Sequence, residues 1–140
     1  FACHGAIIAC AEDEPVSQLL MRSILEDQGY VALVADSALE LLEVLAGSRA
    51  DMVLMDMQLP EGDSLELAGR IRAGAGGATP PDVPILGLSA ATSAEEHEKW
   101  RAAGISGHIL KPVTRQRLLD AVSQALAGSR STSSLKSEQA

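Results

Sequence analysis

Aromatic residues are nearly missing from this chain, which has one phenylalanine, one tyrosine and one tryptophan in 140 residues. Its core must therefore be assembled from Ala, Val, Ile, Leu and Met, which dominate the 46% hydrophobic content. So few rings leave no stacking platform for bases, and no Lys/Arg cluster with interleaved aromatics occurs. A net charge of -8 and a pI of about 4.7 point the same way, because an acidic domain repels a phosphate backbone. Direct nucleic-acid binding is disfavoured. Cysteine is scarce too: Cys3 and Cys10 form no C-x-x-C unit. Cys10, inside an apolar run, reads as a small buried hydrophobe, and Cys3, near a terminus, as inert. A disulfide-stapled secreted scaffold is disfavoured, and a reducing cytoplasm is the expected compartment. No apolar run approaches the ~20 residues needed to span a bilayer. The chain opens on Phe1 without a basic segment leading into an apolar one, so a fragment of a longer protein is expected rather than a signal peptide.

What is present is an alternation of short apolar runs with longer helical patterns. Ala6 to Ala11 reads as a first strand, and Pro15 as the first turn of a helix carrying Leu19, Leu20, Ile24 and Leu25 up to Gly29. Tyr30 to Ala35 reads as a second strand. Asp36 or Ser37 can cap a helix with Leu39, Leu42 and Leu45 that stops at Gly47. Met52 to Met55 is apolar throughout, as a strand covered on both faces should be. Leu65 to Ala73 reads as helix, and the Gly/Pro-rich stretch from Gly74 to Pro84 as loop. Ile85 to Leu88 gives a fourth strand, Ala94 to Ala103 a helix ended by Gly104, His108 to Leu110 a short fifth strand, and Thr114 to Ala127 a last helix. The expectation is one α/β domain over 6–127, a doubly wound parallel sheet of flavodoxin-like order 2-1-3-4-5 with five helices. The Ser-rich residues 128–140 lack apolar periodicity and read as a disordered tail or linker.

The chemistry gathers at strand ends. Asp56 closes the third apolar run, where open α/β sheets place their sites, and a buried carboxylate needs a partner there. Glu12-Asp13-Glu14 follows the first run directly. One carboxylate suffices to cap the helix at Pro15, so three imply mutual repulsion that a divalent cation would relieve, and oxygen ligands favour Mg²⁺ over Zn²⁺. Ser89 ends the fourth run; alone it reads as a turn residue, beside Asp56 as a donor to a phosphoryl oxygen. Lys111 leaves the fifth run toward the same edge, where its ammonium would pair with Asp56. A dehalogenase-type phosphatase would need a second Asp two residues after Asp56, and position 58 is Gln. His4 and His97 have no partner pattern and read as surface residues, and Trp100 reads as core or interface packing. The run Gly74-Ala75-Gly76-Gly77 lacks the Lys-Ser/Thr of a P-loop.

Taken together, Ala11-Glu12-Asp13-Glu14-Pro15, Met55-Asp56-Met57-Gln58-Leu59-Pro60, Leu88-Ser89-Ala90 and Leu110-Lys111-Pro112 resemble the receiver domain of two-component response regulators, from about Ala6 to Ala127. The resemblance implies that Asp56 accepts a phosphoryl group from a phosphohistidine, with Glu12, Asp13, Asp56 and the Gln58 backbone carbonyl holding Mg²⁺. It implies that Ser89 binds a phosphoryl oxygen and switches with it, and that Lys111 bridges the group. The partner would be a histidine kinase or a histidine phosphotransfer domain, with no nucleic acid bound directly, no membrane contact in this segment, and homodimerisation a further arrangement. The domain would not be a turnover enzyme alone, beyond its own phosphorylation and dephosphorylation at Asp56. Two departures stand out: His108 occupies the position where the family has Tyr or Phe, so its part in a switch is open, and Asp63-Ser64 replaces an expected Asp-Gly pair. The Asp56–Pro60 run and Ala102-Ala103-Gly104 resemble receivers attached to hybrid histidine kinases. A free-standing regulator and an unphosphorylated pseudo-receiver that only binds partners are the alternatives.

Overall fold

Residues that alternate along the strands sort onto two faces of one sheet in the computed structural model, which describes residues 5–59, 64–90 and 93–139. The elements are β1 (Ile7–Ala11), α1 (Pro15–Asp27), β2 (Val31–Ala35), α2 (Ala38–Gly47), β3 (Met52–Asp56), α3 (Ser64–Arg72), β4 (Ile85–Ser89), α4 (Ala94–Ala103), β5 (Gly107–Leu110) and α5 (Arg115–Gln139). All strand pairs are parallel and the order is β2-β1-β3-β4-β5, as expected. One face carries Ala9, Val53 and Met55 under α2, α3 and α4; the other carries Ile8, Cys10 and Leu54 under α1 and α5. β3 and β4 are buried at every position, which explains why their sequences are apolar without alternation. Burial also pushes the Cys10 thiol up to about 12, so it stays protonated and inert.

Local chemistry sets the helix ends. Between the two cap choices before α2 the structure selects Ser37: its Oγ accepts the Glu40 amide N–H at 3.1 Å, and the Glu40 carboxylate accepts the Asp36 amide at 2.7 Å. This is a variant of the capping box, in which the carboxylate reaches the amide of the residue before the cap instead of the cap's own. Ser93 caps α4 in the same sense, and Gly104 ends it in the left-handed conformation at φ 104°.

Three expectations are corrected. On α1 the buried stripe is Met21, Ile24 and Leu25, whereas Leu19 and Leu20 are 69% and 47% exposed. At 100° per residue those two leucines cannot share a face with Met21 and Leu25. Leu39 is likewise exposed, and Leu41 with Leu45 forms the buried pair of α2. Finally, the backbone of α5 runs on to Gln139 instead of stopping at Gly128. Gly128 takes helical backbone, and no proline follows to force an end. Phe1, Cys3, His4, Pro60 and Asp63 lie outside the described residues.

Candidate functional site

The parallel order puts β3 between β1 and β4, so Asp56 sits at the centre of the carboxyl edge of the sheet. Ala11 is in register with Met55, which carries Glu12 and Asp13 alongside Asp56. Leu88 is in register with Asp56 and Leu110 with Ser89, so Ser89 and then Lys111 follow on the other side. Carboxylate oxygens of Glu12, Asp13 and Asp56 lie within 4.8 Å of one another. Lys111 Nζ stands 3.4 Å from Asp56 Oδ1, and the Gln58 amide N–H donates to that same oxygen at 2.9 Å. The Lys111 amide donates to the Ser89 carbonyl at 2.8 Å, tying the ends of β4 and β5 together. All the residues singled out from strand ends in the sequence therefore share one edge.

Electrostatics make this edge a strained anion cluster. Glu12 and Asp56 are both buried, and Asp13 is exposed. Burial pushes the Glu12 carboxyl up to about 7; the Glu14 amide N–H opposes the rise, and the Asp56 charge adds to it. One ammonium does not balance three carboxylates. Mg²⁺ takes oxygen ligands almost exclusively, and three carboxylates converging within 4.8 Å offer the donor type and the negative charge that would hold it. Beside it, a cleft of about 240 Å³ opens between α1 and the β5–α5 turn, lined by Glu12, Leu20, Lys111 and Pro112 among others.

His97 is not a surface residue. It is half-buried: its ring lies 4.2 Å from that of His108 and 5.4 Å from that of Trp100, and its Nε2 is buried without a hydrogen-bond partner among the described residues. α4 has few apolar residues, so His97 and Trp100, three apart on one helix face, supply its inner surface. His108 pairs with Gly87, whose missing side chain leaves room above β4 that Met57 fills. Burial, and then the neighbouring His97, hold the His108 imidazole below its ordinary pKa. A depressed histidine contributes stability that is present above pH ~6.5 and lost as pH falls through the folded value. Denaturant unfolding of the two proteins side by side should therefore show His108→Phe gaining stability relative to the wild type as pH falls from about 7.5 to 5.5.

Two further residues escaped the sequence reading. Arg72 donates from Nε and Nη2 to the Gly104 carbonyl and from Nη1 to those of Pro81 and Val83, so α3 clamps the loop before β4 to the turn before β5. In sequence it looks like a cation at a helix C-terminus. Ser64 is buried, and its hydroxyl donates to the Asp56 carbonyl at 2.9 Å. Its only signal was that it stands where a glycine was expected.

The sequence matches the response regulator receiver domain family over residues 8–123. An uncharacterized 14.6 kDa protein of Leptolyngbya boryana is 32% identical over 84% of this chain and 87% of that protein. The sensor histidine kinase RcsC of Salmonella typhi is 33% identical over 86% of this chain, which spans only 12% of the kinase. Among solved structures, the receiver domain of a sensor histidine kinase from Pseudomonas aeruginosa, with a magnesium ion coordinated in its active site cleft, superposes with a TM-score of 0.76 at 27% identity, covering 88% of this chain and 98% of that one.

Proposed function

Because the chain belongs to the receiver domain family of response regulators, we propose that it takes a phosphoryl group from a phosphohistidine onto Asp56 and changes its binding surface in response. The observation that carries this reading is the single edge where Asp56 meets Glu12 and Asp13 within 4.8 Å and Lys111 at 3.4 Å. Glu12, Asp13, Asp56 and the Gln58 backbone carbonyl would hold Mg²⁺, the ion found in the Pseudomonas aeruginosa receiver. When bound it neutralises the carboxylates and draws charge from the phosphoryl oxygens. An Asp56 carboxylate oxygen forms the new P–O bond as the N–P bond of the donor breaks in line, and the electron pair returns to the donor imidazole. Lys111, already against Asp56, follows the developing negative charge onto the phosphoryl oxygens. The Ser89 hydroxyl donates to one of those oxygens and draws the end of β4 inward. The Lys111–Ser89 backbone bond carries that shift to β5, where His108 faces His97 of α4.

The donor is a histidine kinase or a histidine phosphotransfer domain. Val16, Leu19 and Leu20 are large exposed apolar residues on α1, of which Leu20 lines the cleft, and in this reading they form an apolar seat for a donor helix. Leu19→Glu should slow transfer from a phosphorylated histidine protein roughly tenfold or more, and by a much larger factor than transfer from acetyl phosphate. Equal slowing with both donors would remove α1 from the docking surface.

The match to a sensor kinase of which this chain spans 12% supports a receiver belonging to a hybrid kinase. The near full-length match to the Leptolyngbya protein favours a free-standing regulator as the second context. Either context is cytoplasmic in this reading. Among the described residues no helix is long and apolar enough to cross a membrane. Intact-mass measurement after incubation with acetyl phosphate and Mg²⁺ tests the chemistry directly. One phosphoryl adduct that disappears with chelator supports it; an unchanged mass leaves only the pseudo-receiver reading.

A further inference from the structure

We propose that Ser64 is a positioning residue for the Asp56 site, holding the turn that presents the nucleophile and the Gln58 carbonyl together. The inference rests on reading Asp56 as a phosphoryl acceptor beside Mg²⁺. It begins with the end of a ladder. The Met57 amide pairs with the Leu88 carbonyl on β4, so Asp56, one residue earlier, directs its backbone groups toward β1. β1 stops at Ala11, opposite Met55, and the regular pairing on that side stops short of the Asp56 carbonyl. That carbonyl instead accepts the Ser64 hydroxyl at 2.9 Å, in a buried setting.

Two restraints then act on one residue. Ser64 fixes the Asp56 carbonyl, hence the plane of the Asp56–Met57 peptide, while the Gln58 amide fixes the Asp56 carboxylate at Oδ1. Once that peptide plane is set, Met57 has few ways to place Gln58 so that its N–H reaches Oδ1. That bond fixes the Gln58 nitrogen and so the point from which its carbonyl, two backbone torsions further on, is presented. Ser64 also opens α3, so the helix start is pinned to the strand end across the connection 57–63. A serine at a helix start more often accepts an amide N–H of its own first turn. Here its proton goes to the strand carrying the nucleophile. Glycine or alanine at 64 has no donor and would leave a buried carbonyl unpaired.

The test compares the wild type with Ser64→Ala, Ser64→Gly and Ser64→Thr in two measurements. Calorimetric titration with MgCl₂ reads the metal affinity, and amide hydrogen exchange of Gln58 in metal-free protein reads the turn itself. Loss of the hydroxyl in Ala and Gly should weaken Mg²⁺ binding and speed Gln58 exchange, each about tenfold, and Thr should restore both. Ser64→Gly repeats the loss without a Cβ, so a packing fault in either variant is recognised. If both hydroxyl-free variants keep wild-type Mg²⁺ affinity and Gln58 exchange, and only melt earlier, Ser64 is a plain helix anchor and the inference is overturned. If instead the wild type binds no Mg²⁺ and takes no phosphoryl group, the proposed function falls. Gln58 exchange would still decide whether Ser64 holds the turn.

Discussion

Asp56→Asn is expected to carry no phosphoryl adduct under conditions that label the wild type to completion, and to be the more stable protein without metal. The first effect follows from chemistry, because an amide oxygen is too weak a nucleophile to displace a phosphorylated imidazole. The second follows from the charges at the strand edge. Asp56 faces two carboxylates, Glu12 and Asp13, and one ammonium, Lys111. Removing its charge relieves two repulsions and forfeits one attraction, and asparagine keeps an acceptor for the Gln58 amide. A gain of about 1 kcal/mol is expected, raising the melting temperature by roughly 2–4 °C for a chain of this length. Chemical denaturation without Mg²⁺ measures it. An adduct of equal mass on the Asn variant would place the phosphoryl group elsewhere and sink the proposal.

The second large effect couples Mg²⁺ to protons. Glu12, pushed up to about 7 by burial, must shed its proton before it can ligate a cation. Apparent Mg²⁺ affinity should therefore fall about tenfold per pH unit below 7 and level off above about 8, as titration calorimetry in buffers of different ionisation enthalpy would show. The sign for stability is opposite to that of His108. A carboxyl with a raised pKa contributes stability that is fully present below its unfolded value near 4.5 and is lost as pH rises through about 7. Metal-free protein should weaken across that window, and saturating Mg²⁺ should reverse the trend, adding about 2.7 kcal/mol at a hundredfold excess over Kd. Glu12→Gln should remove the proton release. Proton release unchanged in that variant would assign the linked group to another residue.

The strands were legible because both faces of β3 and β4 are covered, which leaves uninterrupted apolar runs between turn residues. Asp56, Glu12, Ser89 and Lys111 were legible as a set because a parallel sheet sends every such run to the same edge. Helix faces were read less well. On α1 four of the six residues from Val16 to Met21 are apolar, and only packing against the sheet decides that Met21 turns inward and Leu19 outward. The His97–His108 contact joins residues eleven apart across a turn, and nothing in either local pattern marks it. Ser64 and Arg72 act through hydrogen bonds to main-chain carbonyls, an acceptor that every residue offers and no sequence distinguishes.

Trp100 is the only indole in the chain, and its ring lies edge-on to His108 at 6.0 Å and beside His97 at 5.4 Å. Light absorbed beyond the tyrosine band is therefore emitted from one place, the contact between α4 and β5. Imidazolium quenches indole more strongly than neutral imidazole does, so emission intensity reports the charge and distance of the two histidines. If phosphorylation at Asp56 shifts β5, the protein carries its own optical reporter for that event, with no label needed and no second tryptophan to obscure it.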